Sequence, residues 1–520
     1  MPIAAEDLKQ TAEQVSVPRE LKYCVNNEWL ESKTSKYMPV TNSSTGEVMA
    51  EAPCCTQEEV LSSIAAAKAA FPGWADTPIG VRTQLMFKLK ELLEKHLSEL
   101  TLLCSMELGK NLDEARGDIL KAIEVVEIAC GEPMLMQGYS LMNVTQGFDT
   151  VMYREPLGVF AAIIPFNFPG MIPFGWVLPH CITTGNTLVL KAASLTPQTS
   201  MRMLELLIEA GMPKGVVNLV TCSRNEAEIF LKHPDIRGIT YVGSTSVGQH
   251  VYSTAAAHGK RVQCLCEAKN HALVLEDCML ERSARGVINS GFGCAGMRCM
   301  ALPTLCVQES IADEFVAALV KFAKELVVGC AYDPKTQLGP VVSAEHQKLV
   351  TDWITKGVEE GAKLVLDGRN CVVDGYEKGF FVGPTIFDHA KPGMSIGDCE
   401  IFGPVICVKQ FKDFEDGLAI MNANEFANGS VIYTQSGYYA REFAKRTDGG
   451  MVGINVGIPV PASVFPFSGH KNSFFGDLHV MGRDGIAFYT EAKCVTTKWF
   501  DEKDKKTTKV STWDGSSNRI

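Results

Sequence analysis

Several features that would assign this 520-residue chain to a common class are missing from it. There is no Cys-x-x-Cys pair and no cysteine–histidine spacing typical of zinc sites, so the sequence predicts no bound metal. There is no excess of basic residues either, because 49 lysines and arginines stand against 60 aspartates and glutamates, a net charge of −11. Since phosphate binding calls for a basic surface, this balance argues against a nucleic-acid partner.

Secretory and membrane-spanning segments are missing as well. The N-terminal residues have no apolar run of the secretory type and no arginine before Arg19, so a cytoplasmic protein is expected. No residue from Gly158 to Leu190 is charged, but four prolines and polar residues such as Asn167 interrupt this run. We therefore expect the buried wall of a tunnel there, and no contact with a membrane. The 18 cysteines are too sparse for a disulfide scaffold and predict reduced thiols in a reducing compartment.

The composition that is present is that of a globular enzyme, with 46% hydrophobic and 21% charged residues. Strand-like segments alternate with helical ones from Val159 to Val242, and the pattern restarts near Ala272. Such alternation predicts parallel sheets that can bind a nucleotide at the carboxyl ends of their strands. We therefore expect an α/β fold with two Rossmann-like domains and the active site between them. Residues 501–520 offer few apolar side chains to bury and predict a disordered tail.

The segment Phe292–Met300 carries the strongest chemical signal. It places Cys299 after small residues and directly beside Arg298. A cysteine attacks as its thiolate, and the pKa of a free cysteine is roughly 8.5, so we expect Arg298 and nearby backbone N–H groups to lower the pKa of Cys299. Asn167 lies far upstream in an apolar loop, where its amide is suited to donate to a developing oxyanion. A buried structural cysteine is the ordinary alternative for any single cysteine.

A second signal is the turn over Gly243–Gly248, which follows an apolar strand and precedes a predicted helix. A glycine turn at the N-terminus of a helix suits a pyrophosphate, although a simple strand-to-helix turn has the same pattern. The turn lacks the GxGxxG spacing of common dinucleotide-binding proteins. Gln249 stands where a Walker A loop requires lysine.

Through these segments the chain resembles the aldehyde dehydrogenase superfamily over about residues 20–500. It is most similar to the coenzyme A-acylating branch, the methylmalonate-semialdehyde dehydrogenases. The segments typical of the superfamily are Pro165–Pro169, Gly185–Thr187, Lys191, Val242–Ser244, Gly293–Cys299, Glu400–Pro404, Asn455, Phe465–Gly469 and Phe488–Thr490. The segments typical of the branch are His258–Gln263, Ala268–His271, Arg298–Ala301 and Ile458–Pro461.

The resemblance implies a domain organisation, and it adds a small β oligomerisation arm to the two α/β domains. The NAD(P)-binding domain is expected over residues 20–138 and 158–270, and the catalytic domain over 271–475. The arm is expected over 139–157 and 476–500. A homodimer or homotetramer follows from the arm, since an exposed strand edge needs a covering partner. The family also adds the mitochondrial matrix as a second compartment.

The resemblance further implies roles for single residues. Cys299 is the nucleophile, and Asn167 with the Cys299 backbone N–H holds the oxyanion. The expected cofactor contacts are Lys191 and Glu400 at the two riboses, Gly243, Ser244 and Gly248 at the pyrophosphate, and Phe402 beside the nicotinamide. Two cations, Arg298 and Lys121, are expected to bind a substrate carboxylate. The plain alternatives are a solvated carboxylate for Glu400 and ordinary surface lysines for Lys191 and Lys121.

Three positions depart from the family pattern. Ser194 replaces a glutamate that helps to grip the adenosine ribose, which leaves NADP open beside NAD. Leu265 falls where hydrolytic members carry the glutamate base, and Glu267, two positions on, replaces a family glycine. Lys121 replaces an arginine and loses the bidentate geometry that fits a carboxylate. Without a base at residue 265, water attack on an acyl-enzyme loses a catalyst worth roughly 10²–10⁴-fold.

Three hypotheses follow. The first is an NAD-dependent oxidation of a small semialdehyde to an acyl-CoA through a Cys299 thioester, with loss of the carboxylate as bicarbonate or CO₂ when a 3-oxo acid is the substrate. The second, suggested by Lys121, is an aldehyde dehydrogenase of different substrate with hydrolytic or acylating release. The third is a low-activity structural or binding relative. The place of Glu267, which decides whether it can act as a base, is left open by the sequence.

Overall fold

The computed structural model describes residues 19–145 and 147–500. The predicted disordered tail, 501–520, lies outside the described residues. In the described part of the chain, no helix has the length and apolar character needed to cross a membrane.

The first half of the chain begins with five short strands and a block of helices, after which strands and helices alternate. Its strands are β1 (Arg19–Glu20), β2 (Tyr23–Val25), β3 (Glu28–Leu30), β4 (Tyr37–Thr41), β5 (Val48–Pro53), β6 (Ser140–Thr145), β7 (Phe148–Pro156), β8 (Val159–Ile163), β9 (Thr187–Lys191), β10 (Val217–Val220), β11 (Ile236–Val242) and β12 (Arg261–Leu265). Its α-helices are α1 (Gln57–Asp76), α2 (Ile79–Lys95), α3 (Leu97–Leu108), α4 (Leu112–Cys130), α5 (Glu132–Leu135), α6 (Leu178–Thr183), α7 (Pro197–Glu209), α8 (Arg224–Lys232) and α9 (Thr245–Ala257), and a π-helical turn over Ile172–Val177 precedes α6.

The second half repeats the alternation. Its strands are β13 (His271–Val274), β14 (Thr304–Gln308), β15 (Lys363–Leu366), β16 (Thr385–Asp388), β17 (Val405–Phe411), β18 (Phe426–Ala427), β19 (Gly429–Tyr433), β20 (Met451–Ile454), β21 (His470–Lys471), β22 (Phe474–Gly476) and β23 (Thr490–Lys498). Its α-helices are α10 (Leu280–Phe292), α11 (Ala312–Lys324), α12 (Ala344–Glu359), α13 (Ser395–Asp398), α14 (Phe414–Asn422), α15 (Gly437–Arg446) and α16 (Gly482–Tyr489). Short 3₁₀ turns cover Gly293–Gly296 and Glu309–Ile311.

Two large sheets organise these elements. The first has eight strands in the order β22-β12-β11-β8-β9-β10-β2-β3, and β8 to β12 run parallel to one another. The chain moves from β8 to β10 on one side of β8 and then continues at β11 and β12 on the other side. Such a change of direction opens a crevice at the carboxyl ends of the strands, where α/β proteins bind their ligands.

The second sheet has seven strands in the order β15-β16-β17-β14-β13-β19-β20. All of its neighbouring pairs are parallel except β15 with β16. Strands of both sheets are buried on both faces, as the uninterrupted apolar runs of β8 and β13 require. The predicted α/β fold with two parallel-sheet domains is therefore confirmed.

A separate three-stranded sheet has the order β23-β7-β6, and its strands lie within the segments 139–157 and 476–500 that are expected to form the arm. Strand β23 pairs with β7 over its whole length, from Thr490 opposite Pro156 to Lys498 opposite Phe148. Phe488 and Tyr489 of α16 pack in T-shaped contacts on Phe160 of β8 in the first large sheet, with ring centroids 5.6 and 4.8 Å away.

Most helices lie where the hydrophobic periodicity predicts them, with one clear difference. Residues 80–106 predict one helix, but the chain breaks into α2 and α3 at His96. The backbone of His96 leaves the helical region, and its ring contacts the carboxylate of Glu99 at 2.7 Å. The uncharged run from Gly158 to Leu190 forms β8, the π-helical turn, α6 and β9, and nearly all of it is buried.

Candidate active site

The loop that carries Cys299 has an unusual backbone. Three successive residues, Cys294, Ala295 and Gly296, have left-handed φ values of 52°, 51° and 73°. A non-glycine residue pays a steric cost in this region, so the surrounding packing must impose it. A Cβ added to Gly296 would lie 2.0 Å from the carbonyl oxygen of Gly403, which shows how closely the loop approaches the segment before β17.

Two asparagines fix the main chain at Cys299. The Asn270 amide donates to the carbonyl oxygens of Cys299 at 2.8 Å and Ala301 at 2.6 Å. The Asn428 amide donates to the same Cys299 oxygen at 3.1 Å. Sequence reasoning gave neither residue a role, although Asn270 stands in a segment typical of the acylating branch. These hydrogen bonds hold the carbonyl group of the residue that carries the nucleophile.

The Cys299 thiol is protonated in this environment. Burial, followed by the negative charge of Glu400, raises its pKa to about 12, and hydrogen bonds from the backbone N–H groups of Cys299 and Met300 counter only part of this rise. The prediction that Arg298 lowers the pKa of Cys299 is therefore wrong, although the expected backbone contribution is present. A proton has to leave the sulfur before attack.

Arg298 turns away from Cys299 to other partners. Its Nη2 forms an ion pair with Glu114 Oε1 at 2.8 Å, and its Nε donates to Cys294 Sγ at 3.1 Å. The Cys294 backbone N–H donates to the same Glu114 oxygen at 2.7 Å. A Cβ on Gly293 would lie 2.2 Å from the Arg298 guanidinium, so this arrangement requires glycine at residue 293. Glu114 was missed by sequence reasoning, because an acidic residue in the first turn of a helix has an ordinary structural explanation.

Asn167 lies beside the nucleophile loop, as the sequence predicts. Its side chain is buried, with 4% of its surface exposed, and its Nδ2 donates to the Met297 carbonyl oxygen at 3.2 Å. An amide nitrogen carries two N–H groups, and the second has no acceptor among the described residues. A donor of this kind, beside the loop that carries Cys299, has the chemistry of an oxyanion site.

A cavity of about 260 Å³ opens onto Cys299. Its walls are mostly apolar and come from the loop after β8, the π-helical turn and the segment after β20: Phe168, Met171, Trp176, Ile458, Val460 and Phe467. One face of α4 adds Glu114, Gly117, Asp118 and Lys121, which follow the i, i+3, i+4, i+7 spacing of a single helix face. The space suits a small aldehyde with one polar end.

Each cation at this cavity has an acidic partner. Lys121 Nζ lies 2.6 Å from Glu124 Oε2, and Arg298 is paired with Glu114. Behind the wall, the buried Lys110 ammonium contacts Asp118 Oδ2 at 3.0 Å. Lys121 and Arg298 thus line the same cavity as predicted, but their charges are already shared. A substrate carboxylate would have to compete with these glutamates or add to them.

The expected cofactor residues lie at the carboxyl ends of the first sheet and at the facing segment of the second domain. Lys191 ends β9, Gly243 and Ser244 follow β11, and Phe402 precedes β17. Phe402 has a φ of 59°, and its ring meets Phe166 edge-on with the centroids 5.9 Å apart. The Phe402 carbonyl oxygen contacts His346 Nε2 at 2.7 Å, a neighbour that sequence reasoning missed.

Glu400 is the carboxylate whose negative charge raises the pKa of Cys299. Burial, followed by repulsion from Glu267, raises its pKa to about 8, and a hydrogen bond from the Ala268 N–H opposes the rise. That N–H donates to Glu400 Oε1 at 3.1 Å. At neutral pH the Glu400 carboxyl therefore carries a proton for most of the time.

Gly248 takes a packing position in the second turn of α9. A Cβ at Gly248 would lie 2.3 Å from the sulfur of Cys266, the residue that directly follows β12. Because glycine has no Cβ, the helix can pack this close to the sheet. Gly248 is buried, and its N–H donates to the carbonyl oxygen of the exposed Ser244 at 2.9 Å. Gly243 is also required by packing, since its Cβ would lie 2.4 Å from Tyr241 Oη.

Leu265 and Glu267 have different surroundings. The Leu265 side chain joins the buried apolar cluster that contains Met300 and is lined by Cys299, whereas Cys264 and Cys266 face the other side of the sheet. No proton acceptor therefore stands at residue 265. The Glu267 carboxylate is bound elsewhere, since its Oε2 accepts from the backbone N–H of Thr245 at 2.8 Å.

Comparisons with known proteins agree with this geometry. The profile of the aldehyde dehydrogenase family matches residues 29–495. Malonate-semialdehyde dehydrogenase 1 of Oceanobacillus iheyensis is 44% identical over 485 residues, which cover 93% of this chain and 99% of the relative. Malonate-semialdehyde dehydrogenase 2 of Geobacillus thermodenitrificans is 45% identical over 479 residues, which cover 92% of this chain and 99% of the relative.

Solved structures give the same result. A protein from Sinorhizobium meliloti 1021, provisionally named methylmalonate-semialdehyde dehydrogenase and solved with NAD, is 39% identical with a TM-score of 0.92 and covers 94% of this chain and 99% of its own. Methylmalonate-semialdehyde dehydrogenase from Oceanimonas doudoroffii is 38% identical with a TM-score of 0.91, over 93% of this chain and 99% of its own. The chain belongs to the aldehyde dehydrogenase family. Within that family, these four relatives bear the names of malonate- or methylmalonate-semialdehyde dehydrogenases.

The donor set at the first sheet fits a dinucleotide. The Lys191 ammonium makes no hydrogen bond or ion pair within the described ranges, and burial lowers its pKa, so a polar ligand would satisfy it. Ser244 and Ser246 are exposed at the start of α9, where backbone N–H groups and the helix dipole favour an anion. The one disagreement is Glu267, an acidic side chain at that same helix end.

Proposed function

We propose that this chain catalyses the NAD-dependent oxidation of a small semialdehyde, of the malonate or methylmalonate semialdehyde type, to an acyl-CoA. The observation that carries the proposal is the pairing of Cys299, at an aldehyde-sized cavity, with aliphatic Leu265 where a hydrolytic base would stand. The names of the relatives support the substrate class.

Cys299 performs the covalent chemistry. After its sulfur loses a proton, the thiolate adds to the aldehyde carbon, and the Asn167 amide with the Cys299 N–H stabilises the new oxyanion. NAD, when bound, supplies the acceptor for the hydride that leaves this carbon. The resulting thioester is attacked by the thiolate of coenzyme A, which takes the acyl group and releases the Cys299 thiol. A thiol needs less activation than water, because it is partly ionised at neutral pH.

NAD is the proposed cofactor, with Lys191, Ser244, Glu400 and Phe402 as the residues that hold it. Relatives solved with NAD support this choice. Ser194 lacks the negative charge that would repel a 2′-phosphate, so NADP is the second candidate. A matched pair of titrations with NAD and NADP, on the native chain and on Ser194→Glu, should show the carboxylate strengthening the preference for NAD.

The proposed assembly is a homodimer or homotetramer formed through the arm. Strand β23 lies at the edge of the arm sheet, and seven of the nine residues of its burial pattern, from Glu491 to Thr496 and Lys498, are exposed. A long, exposed edge strand favours association with another chain. All 18 cysteines are free thiols, which supports a reducing compartment such as the cytoplasm.

The decisive experiment is NADH formation from malonate semialdehyde with and without coenzyme A. Without coenzyme A, we expect a burst of NADH near one equivalent per active site, followed by slow turnover as the acyl-enzyme accumulates. Adding coenzyme A should restore steady turnover. Fast oxidation to the free acid without coenzyme A would contradict the acylating proposal, and its loss in Glu267→Gln would identify Glu267 as the base.

The second candidate is an aldehyde dehydrogenase of different substrate with hydrolytic release. The observation that favours it is the pairing of both cavity cations, Lys121 with Glu124 and Arg298 with Glu114. If an uncharged aldehyde of similar size gives a higher kcat/KM than malonate semialdehyde, this candidate replaces the first. If no aldehyde gives NADH, the third hypothesis, a low-activity structural or binding relative, stands.

A further inference from the structure

Glu267 occupies the end of the helix at which the cofactor's pyrophosphate is expected. Its Oε2 accepts from the N–H of Thr245, the first residue of α9, at 2.8 Å. Its own N–H donates to Thr245 Oγ1 at 3.2 Å, so the two residues hold each other reciprocally. Ser244, the residue proposed for the pyrophosphate, directly precedes Thr245. A carboxylate therefore lies where α9 presents its positive dipole end.

Glu400 brings a second carboxyl group to the same place from the other domain. It accepts from the Ala268 N–H at 3.1 Å, and that N–H belongs to the peptide bond that follows Glu267. The two acids thus converge on adjacent backbone groups, between the turn expected to hold the pyrophosphate and the nucleophile loop. Their mutual repulsion contributes to the raised pKa of Glu400.

Burial shifts the pKa values of the other titratable groups around this pair towards their neutral forms. Among the described residues, Lys269 is the cation that acts on Glu400; it is fully buried and donates to the Ile396 carbonyl oxygen at 3.0 Å. The thiols and the phenol remain protonated, since burial raises their pKa, and the imidazole remains neutral, since burial lowers its pKa: Cys266, Cys299, Tyr241 and His346. Glu400, whose pKa is raised to about 8, is the group beside Glu267 whose protonation is expected to change in the range around neutral pH.

We propose that Glu267 competes with the cofactor's pyrophosphate for the N-terminus of α9, and that NAD binding beside this carboxylate is coupled to proton uptake by the neighbouring Glu400. The inference rests on the proposed use of NAD and goes beyond it, because a family glycine at residue 267 would bring no charge to the helix end. Two phosphate charges arriving beside two carboxylates are tolerated better when one carboxyl carries a proton.

The sign of the pH dependence follows from Glu400. Its pKa of about 8 means that Glu400 holds its proton at pH 7 and loses it as the pH rises through 8. Above that point, NAD has to bring a proton with it, so the Kd for NAD should rise with pH, by at most about tenfold per pH unit for one proton. Glu267→Gln removes a charge from the helix end, so the affinity for NAD should increase at every pH tested, and the rise in Kd should begin from this tighter value at a lower pH.

The test is calorimetric titration of the full chain with NAD alone, without aldehyde or coenzyme A. Titrations at pH 6.5, 7.5 and 8.5 give the Kd, and repetition in phosphate and Tris buffers gives the number of protons taken up. At pH 8.5 we expect Glu267→Gln to bind NAD roughly fivefold more tightly than the native chain, at the lower end of ordinary couplings between sites. Proton uptake at that pH should fall.

Glu267→Gln is suited to this test because its amide oxygen can still accept from the Thr245 N–H. Glu267→Gly, which carries the family residue, is the second variant and should bind at least as tightly. Glu228→Gln is the matched control, since it removes a charge that contacts His250 of the same helix, beyond the first turn, at 2.8 Å. It should leave the Kd and the proton uptake unchanged.

Two results would overturn different statements. Equal Kd and equal proton uptake in the native chain and in both Glu267 variants would reduce Glu267 to a helix cap and end this inference, while the proposed function would stand. No NAD binding by the native chain at any pH, with binding of NADP or of neither, would contradict the proposed cofactor instead.

Discussion

The Cys299 thiol has to lose its proton before it can attack a carbonyl, and its immediate surroundings resist that loss. Burial and the Glu400 charge raise its pKa to about 12. The arginine next to it in sequence is engaged by Glu114 and Cys294 instead. Activation must therefore come with ligand binding or from a change at Glu400, and both are open to measurement.

Cys299→Ala should abolish NADH formation, because Cys294, the other thiol among the described residues that line the cavity, is held by Arg298 Nε and lies five residues before the nucleophile. NAD binding should persist, since the expected cofactor contacts lie at other residues. Cys294→Ala is the matched control, and it removes the sulfur that accepts from Arg298 Nε. We expect Cys294→Ala to change KM for the aldehyde and to leave kcat nearly unchanged. Near-normal turnover by Cys299→Ala would end the covalent mechanism.

Glu400→Gln should make Cys299 more reactive in the free protein. The substitution removes a negative charge that raises the pKa of the thiol, so a larger thiolate fraction is present at pH 8.5, where Glu400 is ionised. The measurement is the rate of iodoacetamide labelling at Cys299, followed by peptide mass spectrometry. We expect a several-fold increase at pH 8.5 and a smaller one at pH 6.5, where the Glu400 carboxyl is already neutral.

Asp374→Asn serves as the control for that experiment, because it removes an exposed charge from a loop of the catalytic domain. Its labelling rate should equal that of the native chain. If Glu400→Gln labels no faster than the native chain at pH 8.5, the electrostatic link between Glu400 and Cys299 is contradicted.

At the scale of elements, α9 packs so closely against the end of β12 that a single added carbon atom would clash. Gly248 of α9 faces the Cys266 sulfur with no room for a Cβ, which would lie 2.3 Å away. The side chains along β12 and its continuation alternate between the two faces of the sheet. Leu265 faces the nucleophile, whereas Cys264 and Cys266 face the helix. The position of the helix N-terminus, and with it the proposed phosphate site, depends on this contact.

Gly248→Ala should destabilise the first domain by about 1–3 kcal/mol, the ordinary cost of overpacking a tight contact. The measurement is urea unfolding. Cys266→Ala alone should have a smaller effect, and the double variant Gly248→Ala/Cys266→Ala should recover most of the lost free energy of unfolding, because the clashing sulfur is gone. A Gly248→Ala chain as stable as the native one would show that the helix shifts at no cost.

At the scale of the whole molecule, apolar side chains are exposed together on the arm and near it. Leu141, Met142 and Tyr139 are 63%, 79% and 75% exposed, and Trp499 at the end of β23 is 62% exposed. A set of large exposed apolar residues on one protruding sheet is typical of an interface.

Leu141→Lys/Met142→Lys should shift the protein towards smaller species, because two charges would enter the proposed interface between chains. Sedimentation velocity at micromolar concentration is the measurement. Val372→Lys is the control, since Val372 is 70% exposed but lies outside the arm. A native chain that sediments only as a monomer would contradict the assembly, whatever the variants do.

The sequence alone determined the fold class and the family. Alternating apolar segments specify parallel sheets, and short motifs such as Pro165–Pro169 and Gly293–Cys299 keep their order and spacing along the chain. The absence of a base at residue 265 was also readable, because an aliphatic side chain cannot accept a proton wherever the chain places it. These properties depend on residue type and on local order.

Tertiary structure decided the electrostatics of the site. Arg298 was expected to act on its neighbour Cys299, but its partner Glu114 lies 184 positions away in the sequence. Glu267 was left without a place by the sequence, and the packing of β12 against α9 puts it at Thr245. The pKa of Glu400 depends on burial between two domains and on that same Glu267. A pKa is a sum over neighbours in space, and most of these neighbours are distant in the chain, so only the folded protein could supply it.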